Sequence, residues 1–156
     1  MYMQSLYVLG ARKFVVFSIP RLGCAPGVVN SANPKPAIPW AEDVNSLLLV
    51  YNTRLPSMIT NLQRDSFGST FVPGDAYGLK QKFSEAGINT VQIPCCQVRA
   101  DGMCVPDSTP CLDRTQFIFY DAIRATDVAY KAVADACFSG FITCAPLNIQ
   151  QLAQKQ

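Results

Sequence analysis

The sequence predicts an α/β fold, and three stretches predict it. "KFVVFSIP", Lys13 to Pro20, is β-branched and aromatic and stops at a proline, as suits a strand buried on both faces of a parallel sheet. From Glu42 to about Arg64, apolar residues recur at Val44, Leu47, Leu48, Tyr51, Leu55, Met58, Ile59 and Leu62, one stripe of an amphipathic helix. "STFVPGD" then supplies a second short strand, Thr70 to Pro73. Strand, helix, strand is a βαβ unit, whose right-handed crossover makes the two strands parallel.

The connections follow in order. Between the first strand and the helix, "RLGCAPGVVNSANPKPAIP" carries five prolines counting Pro20 and reads as an irregular loop. Pro56 falls inside the long helix, where it removes a backbone donor and clashes one turn back at a cost of about 3 kcal/mol, so a kink or break is expected there. The helix should end near Phe67 and Gly68, and a shorter one is expected from Tyr77 to Glu85. Past residue 90 comes a cysteine-rich loop. A final helix is expected from about Thr126 to Phe138, with Thr126 as N-cap, Gly140 as stop signal, and Val128, Ala132, Val133 and Ala136 as its buried side.

Composition narrows the function. With 156 residues, 49% of them apolar, and nine Phe and six Tyr, the chain has the material for one core and reads as a single unit, 1–156. Its net charge of +2 is spread without a Lys or Arg cluster, so neither nucleic acid nor an anionic membrane is indicated as a partner. No apolar run approaches the roughly 20 residues that cross a bilayer, and a soluble protein is expected. There is no histidine. No side chain therefore has an unperturbed pKa suited to proton transfer near neutrality, and hydrolysis that relies on a histidine base is closed to these residues alone.

Seven cysteines, four of them between Cys95 and Cys111, fit an oxidising compartment. The opening "MYMQSLYVLGARKFVVF" has no signal-peptide pattern, because Arg12 and Lys13 stand in its middle rather than before an apolar stretch. Four thiolates can bind zinc, but Cys95 and Cys96 adjoin, and Cys104 and Cys111 stand eight and fifteen residues after Cys96. That spacing favours disulfides over a metal knuckle. Cys137 and Cys144 suit a pair across the turn after the last helix, which leaves Cys24 odd; the connectivity stays open at this point.

"IFYDAIRATDVAYK" sets Asp121 three residues before Arg124. Taken alone this is an ion pair on one turn, worth at most about 1 kcal/mol when exposed. A carboxylate three residues before a histidine, on a loop at the edge of an α/β sheet, can instead hold an imidazole so that it deprotonates a serine. Here arginine stands in the base's place, and it keeps its proton at ordinary pH.

Several dispersed motifs share one order. They are "LYVLGARKFVVFSIPRLGCAPG" (Leu6 to Gly27), "EDVNSLLLVYNTRL" with its paired asparagines (Glu42 to Leu55), "FVPGDAYG" (Phe71 to Gly78), "PCC" (Pro94 to Cys96), "CVPDSTPCLDR" (Cys104 to Arg114) and "FIFYDAIRATD" (Phe117 to Asp127). Together they resemble the second half of the plant GDSL esterase/lipases of the SGNH hydrolase superfamily. The resemblance implies a partial three-layer α/β/α flavodoxin-like fold, made of the family's C-terminal strands and helices with a disulfide-rich loop. It also implies a secreted protein and hydrolysis of lipid or small ester substrates by a serine, histidine and aspartate triad, with no cofactor and no metal. Asp121 matches the family's acid, Arg124 occupies its histidine place and Ala125 that of the following proline. On the same resemblance, the family's nucleophilic serine, oxyanion-hole glycine and asparagine belong to blocks upstream of Met1. Trp40 stands where the family often has a cysteine, which leaves Cys24 without its expected partner.

Three functions are then in competition. The chain is a truncated or degenerate esterase copy that is inactive alone, a non-catalytic secreted binding module, or one half of a fold completed by a separate N-terminal half.

Overall fold

A computed structural model describes residues 2–79, 83, 87–88 and 93–155. The elements run α1 (Tyr2–Val8), β1 (Lys13–Phe17), α2 (Pro26–Ser31), α3 (Glu42–Asp65), β2 (Thr70–Gly74), α4 (Asp127–Phe138) and α5 (Ile149–Gln154). Single 3₁₀ turns lie at Leu22–Cys24 and Arg114–Gln116.

The two strands pair in parallel, from Lys13 opposite Thr70 to Phe17 opposite Gly74. Alternate side chains point to opposite faces of such a ribbon, and here both faces are covered. On one face Val16 and Phe71 bury against Leu55, Ile59 and Leu62 of α3, with Met3 and Met58 at the margin. Phe14 stacks on Phe71 in the same layer, ring centroids 4.5 Å apart. On the other face Val72 meets Cys137 of α4, Cys144 and Leu152 of α5, flanked by Val15, Leu147 and Ile149. Among the described residues the result is an α/β/α sandwich around a two-stranded sheet. β2 ends in glycine for a steric reason, since a Cβ at Gly74 would lie 2.6 Å from the Phe17 ring.

α3 runs unbroken for 24 residues through Pro56, so the break expected there does not occur. Pro56 sits on the exposed side, where water can serve the carbonyl that lost its donor, while Leu55, Ile59 and Leu62 hold the buried stripe on the sheet. Glu42 and Asp43 in the first turn and Arg64 in the last complement the helix dipole.

α4 begins as expected, with the Thr126 hydroxyl accepting from the Ala129 N–H. Its buried face is centred on Ala129 and Cys137, and the four expected positions Val128, Ala132, Val133 and Ala136 flank it half-buried. The loop after β1 is less irregular than expected: Pro26 opens α2, where its fixed φ and missing N–H suit a first helical position. α5 was not expected either. It starts with a capping box in which the side chains of Asn148 and Gln151 each accept from the other's backbone N–H. The helix expected over Tyr77 to Glu85 lies largely outside the described residues; of those, Phe83 donates its N–H to the Leu79 carbonyl. Among the described residues no helix is long and apolar enough to cross a membrane.

This packing predicts that Ile59→Ala lowers the unfolding free energy by about 2–4 kcal/mol, as for other buried large-to-small changes. Leu47→Ala, on the same helix but 71% exposed, should stay within about 0.5 kcal/mol. Urea unfolding of both variants tests this, and equal losses would contradict the assignment of the α3 faces.

Candidate functional site

Asp121 stands at the tip of a short hairpin. Phe119 and Ala125 form an antiparallel bridge. The N–H of Tyr120 donates to the Arg124 carbonyl at 2.8 Å, and that of Thr126 to the Ile118 carbonyl at 2.9 Å. Two disulfides, Cys95–Cys111 and Cys96–Cys104, build the support. From this knot the N–H groups of Cys95 and Cys96 donate to the carbonyls of Phe119 and Tyr120. A third disulfide, Cys137–Cys144, ties the end of α4 to the segment before α5. The adjoining cysteines thus serve as two anchors for one hairpin strand.

The tip is gripped from both sides. Ala122 donates to the Gly102 carbonyl at 3.0 Å, and its own carbonyl accepts from the Gly27 N–H at 2.8 Å. Both partners are glycines at a close approach. A Cβ on Gly27 would stand 3.1 Å from the Ala122 oxygen; Gly102 has φ +81° and would put a Cβ 3.2 Å from that of Ala122.

Inside this frame the Asp121 residue is 1% exposed. Its Oδ1 accepts from the N–H groups of Ile123 at 2.9 Å and Arg124 at 2.6 Å, and its Oδ2 from the Arg124 Nε at 2.6 Å. The ion pair expected from the spacing forms, with the carboxylate buried and the Arg124 side chain 57% exposed. Burial by itself raises the Asp121 pKa, but the backbone donors of Arg124 and Ile123, and then the guanidinium, outweigh it and hold the carboxyl below its ordinary value. The group is an anion that fixes a turn and an arginine. Neither partner can take up a proton near neutral pH.

Arg124 opens onto a groove of about 650 Å³, also lined by Arg99, Arg114, Tyr120 and Tyr130. Among the described residues no three His, Cys, Asp or Glu side chains come together as metal ligands.

A second constellation was not picked out from the sequence. Ser18 follows β1 and Asp75 follows β2, at the carboxyl ends of the strands. The Ser18 hydroxyl donates to Asp75 Oδ1 at 3.3 Å and accepts from the N–H groups of Ala76 and Tyr77 at 2.9 and 3.1 Å. Asp75 Oδ1 also accepts from Tyr77 and Gly78. This is a turn clamp, with no imidazole to activate the hydroxyl. The paired asparagines of α3 are likewise structural. Asn52 exchanges hydrogen bonds with both backbone groups of Ile19 at 2.9 Å. Asn45, fully buried, accepts from the Gly23 N–H at 3.0 Å, and its Nδ2 lies 3.9 Å from the Cys24 sulfur. Cys24 is in no disulfide.

Residues 2–137 match the GDSL-like lipase/acylhydrolase family. The chain belongs to that family. Among similar proteins are three GDSL esterase/lipases of Arabidopsis thaliana. The first is 35% identical over 153 residues, covering 97% of this chain and 43% of its own length. The second is 35% identical, covering 95% and 40%, and the third 33% identical, covering 95% and 42%. The chain therefore spans less than half the length of these GDSL relatives.

In this GDSL-family chain the lowered pKa of Asp121 has a pH signature. A carboxyl whose folded pKa lies below its unfolded value contributes stability above the unfolded value, and that stability is lost as pH falls through the folded one. Asp121→Asn should therefore destabilise the protein at pH 6 and lose most of that disadvantage well below about pH 4. Asp101 and Asp113 are also lowered, first by the Met103 N–H and the Thr115 hydroxyl respectively, but they are present in both proteins and cancel. Urea unfolding at the two pH values checks this; a difference independent of pH would contradict it.

Proposed function

We propose that the chain is the C-terminal portion, residues 1–156, of a GDSL-family ester hydrolase domain whose acid–base centre has lost its base. In this reading Asp121 holds the position of the family's acid, Arg124 the position of its histidine, and the chain as it stands does not turn over esters. One observation carries the reading: the side chain three residues after the buried carboxylate is a guanidinium bonded to it at 2.6 Å, in a chain of 156 residues without histidine. Loss of the histidine base in a triad removes about six orders of magnitude of rate. The relatives are named as esterase/lipases, so lipid or small acyl esters are the substrate class of descent. Three disulfides suit an oxidising, secretory compartment.

The test is a short-chain p-nitrophenyl ester with the purified, disulfide-bonded chain. The expected rate equals that of a heat-denatured control, and clear excess turnover would sink the reading.

A second reading, completion by a separate N-terminal half, is favoured by the open edge of β1. Among the described residues that strand pairs on one side only, with β2, and an unpaired parallel edge is a template for another strand. Nearby in sequence, Val8 and Leu9 are 82% and 83% exposed. Hydrolysis should then need both the N-terminal half of a GDSL relative and Arg124→His. Activity restored with Arg124 unchanged would refute the assignment of its position.

A further inference from the structure

We propose that the groove beside Arg124 binds an organic monocarboxylate with an apolar tail, and takes the acid in preference to the corresponding ester. The inference rests on the reading above that Arg124 stands in place of a base. Asp121 engages Arg124 through Nε alone, so both terminal amino groups of that guanidinium are without a partner among the described residues. The rotamer is fixed by a buried anion, which lowers the ordering cost that a free surface arginine would pay on binding. Arg114, on the same groove, uses its backbone carbonyl to accept from the Phe117 N–H, while its guanidinium has no hydrogen bond or ion pair among the described residues. Arg99 is held by Asp101 at 2.6 Å. Two planar forks are thus available, a geometry that suits carboxylate oxygens.

The rest of the lining supplies the tail site: Met103, Pro106, Val128 and the rings of Tyr120 and Tyr130. Two carboxylates line the groove as well. Asp121 is buried and its oxygens already accept from three donors, so it faces its own turn rather than an occupant. Asp127, in the first turn of α4, is exposed and opposes an anion. An ester carbonyl is neutral and gains little from a guanidinium, whereas a carboxylate gains a charge-assisted, two-point contact. The replacement that removes proton transfer therefore also reverses the preference between ester and acid.

The experiment titrates the full disulfide-bonded chain with hexanoate, methyl hexanoate and acetate, following the arginine Nε–H signals by NMR and methanol release in the same tube. Hexanoate should saturate and shift Arg124 and Arg114, with methyl hexanoate at least about tenfold weaker, the worth of one charge-assisted hydrogen bond, and acetate at least about tenfold weaker because it has no tail to bury. Arg114→Gln, an exposed change that leaves the hairpin untouched, should weaken hexanoate about tenfold on the same grounds, and Asp127→Asn should strengthen it. Equal binding of acid and methyl ester, or hexanoate affinity unmoved by Arg114→Gln, overturns the inference. So does absence of hexanoate binding without methanol release, an outcome that leaves the proposed loss of catalysis standing. Methanol release above the denatured control contradicts that loss instead.

Discussion

A single buried anion organises the chemistry of this chain. Asp121 can stay ionised with 1% of its surface exposed because the turn it belongs to donates two backbone N–H groups and Arg124 donates a third hydrogen from the side. A carboxylate in that position without those donors would be neutral or would displace the turn. With them it becomes a fixed point, and the guanidinium, the hairpin tip and the wall of the groove all take their positions from it. The same bonding limits what the site can do: a carboxylate committed to an arginine stabilises a permanent cation, not an imidazolium that forms and dissolves in each turnover.

The frame that delivers Asp121 to this position is assembled from distant parts of the sequence. The sheet is short, yet it buries Val16 and Phe71 against α3 and Val72 against α4 and α5, so both faces of a two-stranded ribbon are dry. α4 is tied beneath it by Cys137–Cys144, and the hairpin leads directly into the N-cap of α4 at Thr126. The adjoining cysteines 95 and 96 clasp the hairpin from outside, while Gly27 of α2 and Gly102 of the disulfide loop close on Ala122 because neither carries a side chain. Loop, helix and disulfide knot thus converge on four residues.

The βαβ core and α4 were legible in the sequence because their signals are local: β-branched runs and a helical stripe for the core, a capping threonine for α4. α2 and α5 were not, being six residues each and decided by end chemistry, Pro26 at one and the Asn148–Gln151 box at the other. Pro56 misled in the opposite direction, since the penalty for a helical proline depends on whether the orphaned carbonyl meets water, which spacing cannot say. At the site, the pair Asp121 and Arg124 was legible from its spacing, but the burial of its carboxylate was not. What buries the carboxylate is long-range: the carbonyl of Gly102, the N–H of Gly27 and the disulfide knot lie tens of residues away. Ser18 and Asp75 were missed for the same reason, their meeting being a product of strand register rather than of any motif.

The most direct test is a carboxyl-carbon NMR titration that follows Asp121 itself in the native chain and in Arg124→Gln. In the native chain Asp121 should show a midpoint below the ordinary aspartate value of 3.8, rising when the guanidinium is removed but with the turn's backbone donors still in place. A native midpoint at or above that value, or one unmoved by Arg124→Gln, would mean that the bonding of the buried carboxylate to its turn and to Arg124 is not what holds the site together.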